Sequence, residues 1–271
     1  MKGLKMKVQA KTVVVTGAGS GMGRELTLEL VRRGARVAAV DMRKETLAET
    51  KKLASDLGGK VATYVLDITD ADEVAKLPAR VEKDLGPADA LINNAGIIQK
   101  FVKVNELSID DAMKVMRVNF DGPLMLIKAF LPGLISRPEA HLLNVSSMGA
   151  YAPVPGQSVY GASKAAIKLL TEGLRSELKD TAVGVTVVFP GAIATNIAQN
   201  SGMEIPADAA DSPQTKTTAA DVAARAMVDA IENNKPRITI GPDAKFMDRF
   251  SRLNPVGAAD LIYKQMANLL G

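Results

Sequence analysis

At 271 residues, with 47% apolar and 24% charged side chains, the chain has the balance of a folded globular protein and enough length to bury a substantial core. The formal charge is +4, but the basic residues are scattered, only 4% of residues are aromatic and tryptophan is absent, so no stripe suited to nucleic-acid phosphates is present. The absence of cysteine excludes disulfides, thiolate nucleophiles and cysteine-based metal sites together and suits a reducing cytoplasm.

The elements follow in order. Residues 12–16 (TVVVT) form a short β-branched run, read as a buried strand that ends in a glycine cluster. A helix follows to Gly34, then a strand at 36–40 and a helix at 46–57 that stops at Gly58-Gly59. The alternation continues with a strand at 61–66, a helix at 71–85 and a strand at 88–92. Residues 108–135 read as one long Met- and Leu-rich helix that Pro123 and Pro132 should bend or end locally. A strand at 141–145, a helix at 159–178 and a strand at 184–189 come next. Residues 192–217 form a long irregular loop, before a helix at 219–232, a strand at 237–240 and short helices at 243–252 and 258–270. This order predicts a single α/β domain over 1–271, with a mostly parallel seven-stranded sheet, helices on both faces and right-handed crossovers. No apolar run approaches the ~20 residues needed to cross a bilayer, and no signal-like apolar stretch precedes Val13, so neither membrane insertion nor secretion is expected.

The glycine cluster does not fit G-x-G-x-x-G, because the sixth position from Gly17 is Met22. It fits T-G-x-x-x-G-x-G, with Thr16, Gly17, Gly21 and Gly23 between a strand and a helix. Glycines there allow a tight turn and a close backbone approach, and the free N–H groups of the helix start suit a pyrophosphate. Asp41 closes the second strand, where a carboxylate can accept hydrogen bonds from an adenosine ribose and repel a 2′-phosphate, favouring NAD over NADP. It could equally cap the following helix, and Arg43 nearby could accommodate a phosphate. No Walker pattern is present.

Tyr160 is followed one helical turn later by Lys164, so the ammonium shares a helix face with the phenol and should lower its pKa toward neutrality. By itself the pair also reads as a solvated helix pair. The single histidine, His141, opens a buried strand and reads as structural, and G-x-S-x-G is absent, which leaves a Ser-His-Asp hydrolase without its parts. Histidine and cysteine counts exclude a metal centre built on those ligands, and no acidic cluster has calcium-loop spacing.

Taken jointly, TGAGSGMG at 16–23, Asn93-Asn94-Ala95-Gly96, the serine region at 144–148 and Tyr160-x-x-x-Lys164 make the chain resemble the short-chain dehydrogenase/reductase family over residues 11–240. The resemblance implies a catalytic tetrad of Asn119, Ser147, Tyr160 and Lys164. Ser147 is chosen over Ser146 by its thirteen-residue offset to the tyrosine. Tyr160 would be the general acid/base and Ser147 would hydrogen-bond the reacting oxygen. Lys164 would lower the tyrosine pKa and bind the nicotinamide ribose, and Asn119 would hold a water in a proton relay. The resemblance also implies cofactor contacts from Gly17, Ser20, Gly21, Met22, Gly23 and Asp41 in the first two turns. Asp67 and Ile68 would lie at the adenine, and Asn94, Ala95 and Gly96 along the adenosine side. Pro190, Gly191, Ile193 and Thr195 would lie at the carboxamide. Asn93 and Asp89 would brace the sheet.

Substrate contacts are expected from Ser147, Met148, Tyr151, Val154, Tyr160 and Met203, with Gln99, Phe101 and Ile205 nearby. Their apolar character points to a secondary alcohol or ketone on a moderately hydrophobic molecule, unless these side chains simply pack on one another. A homodimer or homotetramer is expected, with the long helices pairing between subunits, and 242–271 is expected to be a C-terminal extension that docks on the protein. The rival from another class is a dinucleotide-binding sensor of the same fold without turnover.

Overall fold

Along the first strand, successive side chains point to opposite faces, and this alternation divides the core in two. In the computed structural model, which describes residues 5–195, 197, 201 and 217–266, β1 (Thr12–Thr16) sends Val13 and Val15 into one apolar cluster and Val14 into the other. Every residue of β1 is buried, as expected of a parallel strand covered on both faces.

The chain continues through α1 (Gly21–Arg32), β2 (Arg36–Asp41), α2 (Lys44–Asp56), β3 (Lys60–Val65), α3 (Ala71–Leu85) and β4 (Ala90–Asn93). Next come α4 (Ile109–Met116), α5 (Gly122–Ile135), β5 (Ala140–Val145), α6 (Ser158–Glu177) and β6 (Val183–Pro190). The short strands β7 (Ile193–Ala194) and β8 (Thr218–Ala219) precede α7 (Ala220–Glu232), β9 (Arg237–Ile240), α8 (Pro242–Leu253) and α9 (Pro255–Met266). The seven-stranded sheet has the order β3-β2-β1-β4-β5-β6-β9, parallel throughout, and is Rossmann-like. Residues of α1 and α7 pack on one face, and residues of α3, α5 and α6 on the other.

Two departures from the sequence reading bear on the site. The helix expected over 108–135 is divided: α4 passes through a π-helical segment at Arg117–Asp121 into α5, and Asn119 lies on that segment. Pro123 lies just after the π-helical segment, where its missing N–H removes one bond from a continuous helix, and Pro132 is carried inside α5. Taken together, residues 109–135 are long and apolar enough to cross a bilayer, yet Leu126, Ile127, Phe130 and Leu134 are spent on the sheet. The second departure is the pair β7–β8, which joins the two ends of the expected loop through parallel pairing of Ile193 with Thr218.

The amino ends of the central strands are braced by Asp89, which precedes β4 and is 1% exposed. Its carboxylate accepts the Thr12 N–H at 2.9 Å and the Arg137 guanidinium at 2.7 Å, and Asn93 donates to the Asn144 side chain at 2.8 Å.

Candidate active site

The carboxyl ends of the strands deliver the sequence-predicted residues to one edge. Gly17 follows β1, Asp41 closes β2, Asp67 follows β3, Asn94 follows β4, Ser147 follows β5 and Gly191 follows β6. The order in which strands are added reverses between β1 and β4, the position where open α/β sheets leave a crevice.

The first part of the site is the turn after β1. Gly17 has φ +67° and Gly21 φ +52°, and a Cβ on Gly23 would stand 2.0 Å from the Gly17 carbonyl oxygen, so no side chain fits there. Thr16 Oγ1 accepts the N–H groups of Asn94 and Ala95, each at 3.0 Å, and Asn94 donates back to the Thr16 carbonyl. The glycine turn and the Asn94–Gly96 loop are therefore one unit. Asn94 Oδ1 is buried and has no partner among the described residues. Thr195 packs against the turn, 3.3 Å from where a Gly21 side chain would begin, and Ser20 accepts a hydrogen bond from Arg43 at 3.1 Å. Met22 and Ile193 pack against the core cluster on the α1 face.

Asp41 is 8% exposed; its carboxylate accepts the Gly19 N–H and the Arg43 N–H, each at 3.0 Å, with the Arg43 guanidinium 3.8 Å away. It thus closes the turn before α2, whose first N–H groups it does not reach through any bond seen among the described residues. Asp67 is exposed and is held by Thr69, while Ile68 is buried against Gly122. The Pro190-Gly191 turn is fixed by Gly191 N–H to the Ile240 carbonyl at 2.9 Å and by Ala192 N–H to Asp243 at 2.7 Å. Asp243 was not singled out by the sequence, because nothing in its spacing marks it.

A glycine cradle that any Cβ would fill, a converging helix start and an orphaned amide oxygen on Asn94 together fit a dinucleotide. The second part of the site lies beyond it. Ser147 Oγ accepts the Gly149 N–H at 3.0 Å and faces the Tyr160 side chain, the hydroxyl and the edge of the tyrosine ring both lying beside Gly149. Ser146 is 2% exposed and donates to the Lys164 carbonyl at 2.7 Å, so only the second serine faces the tyrosine. Lys164 is 4% exposed and donates to the Val145 carbonyl at 3.2 Å, with its Nζ 5.9 Å from the Tyr160 ring centroid.

Electrostatics correct one expectation. Burial pushes the Tyr160 phenol above its ordinary value, and the neighbouring Ser147 hydroxyl works in the other direction. Lys164, itself held down to about 8 by burial, addresses a backbone carbonyl and lies across a gap from the phenol, so it does not bring the tyrosine toward neutrality in this structure.

Asn119 is 1% exposed and holds the backbone of Ile97 from both sides, accepting its N–H and donating to its carbonyl, each at 2.9 Å. Its other amide proton goes to Ser163 Oγ at 3.0 Å. Both donors are spent, so a water could use only the free lone pair of Oδ1, which lies with Lys164 Nζ over Gly96.

The expected substrate wall is turned partly inward. The Tyr151 hydroxyl donates to the Ala244 carbonyl at 2.9 Å, and Met148, Tyr151 and Val154 pack on Ala152, Met247, Ala258 and Ile262. These side chains take part in docking α8 and α9. Gln99 is a second correction: it is 3% exposed and bonded to the start of α6, which leaves it no open face for a substrate. Met203 and Ile205 lie outside the described residues, while Phe101 is partly buried in the loop after Gln99.

Comparison with known proteins decides the family. A family model described as short chain dehydrogenase matches residues 11–206. The chain belongs to the short-chain dehydrogenase family. Among similar members of the family is the putative oxidoreductase SadH of Mycobacterium tuberculosis, 34% identical over 258 residues, covering 90% of this chain and 91% of that protein. The probable oxidoreductase EphD of Mycobacterium bovis is 35% identical over 257 residues, covering 90% of this chain; the chain spans only 43% of that protein's length. Among solved structures, a short chain dehydrogenase from Burkholderia cenocepacia in complex with NADP superposes with a TM-score of 0.79 at 31% identity, covering 95% of this chain and 99% of that one.

Proposed function

We propose that the chain is a nicotinamide-dinucleotide-dependent oxidoreductase that interconverts a secondary alcohol and a ketone on a moderately hydrophobic small molecule, working as one domain in the cytoplasm. The observation that carries the reading is the juxtaposition of Ser147 at the end of β5 with Tyr160 and Lys164 on α6, beside the glycine turn after β1.

In this reading Gly17, Gly21 and Gly23 admit the pyrophosphate, Asn94 and Asp41 address the adenosine half, and the turn at Gly191 and Thr195 addresses the carboxamide. The bound dinucleotide supplies or accepts the hydride. Tyr160, held above its usual pKa, is protonated at neutral pH and suits donation to a carbonyl oxygen while Ser147 hydrogen-bonds that same oxygen. As the carbon gains hydride the phenol proton forms the new O–H bond, and the phenolate recovers its proton from solvent. Oxidation runs the same transfers in reverse.

Asp41 supports NAD as the preferred cofactor, since its carboxylate would face a 2′-phosphate. Arg43, whose guanidinium reaches Ser20 at the rim of the turn, supports NADP as the second reading, in line with the NADP complex of the Burkholderia cenocepacia protein. Exposed Ile109, Met113 and Leu169 on α4 and α6 support a homodimer or homotetramer, and sedimentation as a 28.6 kDa monomer would overturn that.

The test follows NADH and NADPH absorbance with a panel of ketones and alcohols. Turnover of apolar secondary alcohols or ketones is expected. Turnover confined to charged sugars or sugar phosphates would contradict the substrate class, and cofactor binding without turnover would favour a sensor.

A further inference from the structure

We infer that Gln99 is a positioning residue for Tyr160, its side-chain amide fixing the start of α6 against the loop that follows β4. Helix α6 begins without a cap of its own: Gln157 occupies the capping position, makes no side-chain bond to the helix, and leaves its Oε1 without a partner among the described residues. The first N–H groups of a helix need an outside acceptor. Gln99 provides one from 60 and 61 residues away. Its Oε1 accepts the N–H groups of Val159 and Tyr160, each at 2.9 Å, which is the pair an N-cap serine or aspartate ordinarily serves.

The same residue grips the turn leading into the helix. Gln99 Nε2 donates to the Gly156 carbonyl at 2.8 Å, and Gln157 Nε2 donates to the Gln99 carbonyl at 2.6 Å. These bonds are buried, Gln99 being 3% and Gln157 4% exposed, so water cannot replace them cheaply. The residues just before Gln99 are tied to other parts of the site: Ile97 to Asn119, and Ile98 N–H to Ser201 Oγ at 3.0 Å. Three consecutive residues thus join the Asn119 segment, residue 201 and Tyr160 to the loop that carries Asn94 and Gly96. Since Ser163 donates to the Tyr160 carbonyl at 2.7 Å and Gln99 accepts the Tyr160 N–H, the backbone of the tyrosine is held from both sides. The groups facing the phenol are Ser147 from the end of β5 and Lys164 from α6 itself. A small rotation of the helix start would carry the phenol away from Ser147.

This inference rests on the reading of Tyr160 as the proton carrier, so the test separates the two. With only four tyrosines and no tryptophan in the chain, the near-ultraviolet phenolate signal of Tyr160 is isolated by subtracting the titration of Tyr160→Phe from that of the full-length protein, read by rapid pH jump with saturating NADH. Gln99→Met, similar in volume but without the amide, is expected to raise the Tyr160 midpoint by about one pH unit, the size of one weakened hydrogen bond. Gln157→Met is the control, because it removes a buried bond in the same place but leaves the Val159 and Tyr160 amides capped; it should lower Tm and leave the midpoint where it was. If Gln99→Met does not fold, Gln99→Asn, one methylene too short to reach, is expected to show the same rise. A midpoint unchanged in the folded Gln99 variant would overturn the proposal and leave Gln99 a purely structural residue. Undiminished ketone turnover by Tyr160→Phe would instead overturn the reading of the site, whatever the Gln99 result.

Discussion

The Tyr151 hydroxyl donates to the Ala244 carbonyl at 2.9 Å and so pins the segment between Ser147 and Tyr160 to the first helix of the C-terminal extension. The ring of Tyr151 lies 5.4 Å from that of Phe189 at the end of β6, and the Arg237 guanidinium stacks 4.0 Å from the Phe189 ring centroid while pairing with Glu172 and Asp248. One wall of the site is therefore held by residues from four parts of the chain. Tyr151→Phe removes only the hydroxyl and should cost about 1 kcal/mol, a fall of roughly 2–4 °C in Tm. A thermal melt checks this, and an unchanged Tm would show that the bond adds no net stability.

His141 gives stability a pH dependence of known sign. The ring is 1% exposed, and Thr186 spends its hydroxyl proton on the Lys235 carbonyl at 2.7 Å. Thr186 Oγ1 must then accept from His141 Nε2, 2.7 Å away, which fixes the neutral ring with its proton on Nε2. Burial lowers the pKa from 6.5 to about 3. Between those values the unfolded chain binds the extra proton, so stability is intact above 6.5 and falls as pH drops toward 3, by up to ~1.4 kcal/mol per pH unit. Urea unfolding across that window should show the slope in the wild type and a flatter one in His141→Asn. Equal slopes would remove His141 as the cause.

Discrimination between the two dinucleotides should move with the charge of Asp41. Asp41→Asn retains an oxygen that can accept the Gly19 N–H but carries no charge against a 2′-phosphate. The ratio of kcat/KM for NADP over NAD should rise roughly tenfold to a hundredfold. If the ratio does not move, Arg43 and Ser20 set the preference instead.

Closing the glycine cradle should abolish dinucleotide binding without unfolding the sheet. In Gly23→Ala the new Cβ would meet the Gly17 carbonyl oxygen at 2.0 Å, and backbone on both sides would have to move. Calorimetric titration with NADH should show binding weakened at least about a hundredfold, while unchanged affinity would place the dinucleotide elsewhere.

Much of this was legible in the sequence because the signals were local. The run TVVVT and the glycines after it encode a strand and a turn within twelve residues, and β1 has the bounds expected of it. Tyr160 and Lys164 lie one turn apart on α6, so helical spacing placed them on one face, while Ser147 was joined to them through the family resemblance. What the sequence withheld depends on distant partners. Nothing near Gln99 announces a helix start at residue 158, nothing near Asp243 announces the turn at Gly191, and the inward rotation of Tyr151 needs Ala244 in place. The raised phenol of Tyr160 was also hidden, since burial is a property of the assembled fold while the Tyr-x-x-x-Lys spacing shows only the neighbouring charge.

The proton carried by Tyr160 is the point on which the functional account turns. Initial rates of NADH or NADPH consumption with the best ketone of the panel, compared between wild type and Tyr160→Phe with cofactor affinity measured in parallel, test it most directly. The account predicts a fall in kcat of at least about a hundredfold with cofactor affinity within about twofold of wild type. Turnover by Tyr160→Phe at the wild-type rate would contradict it.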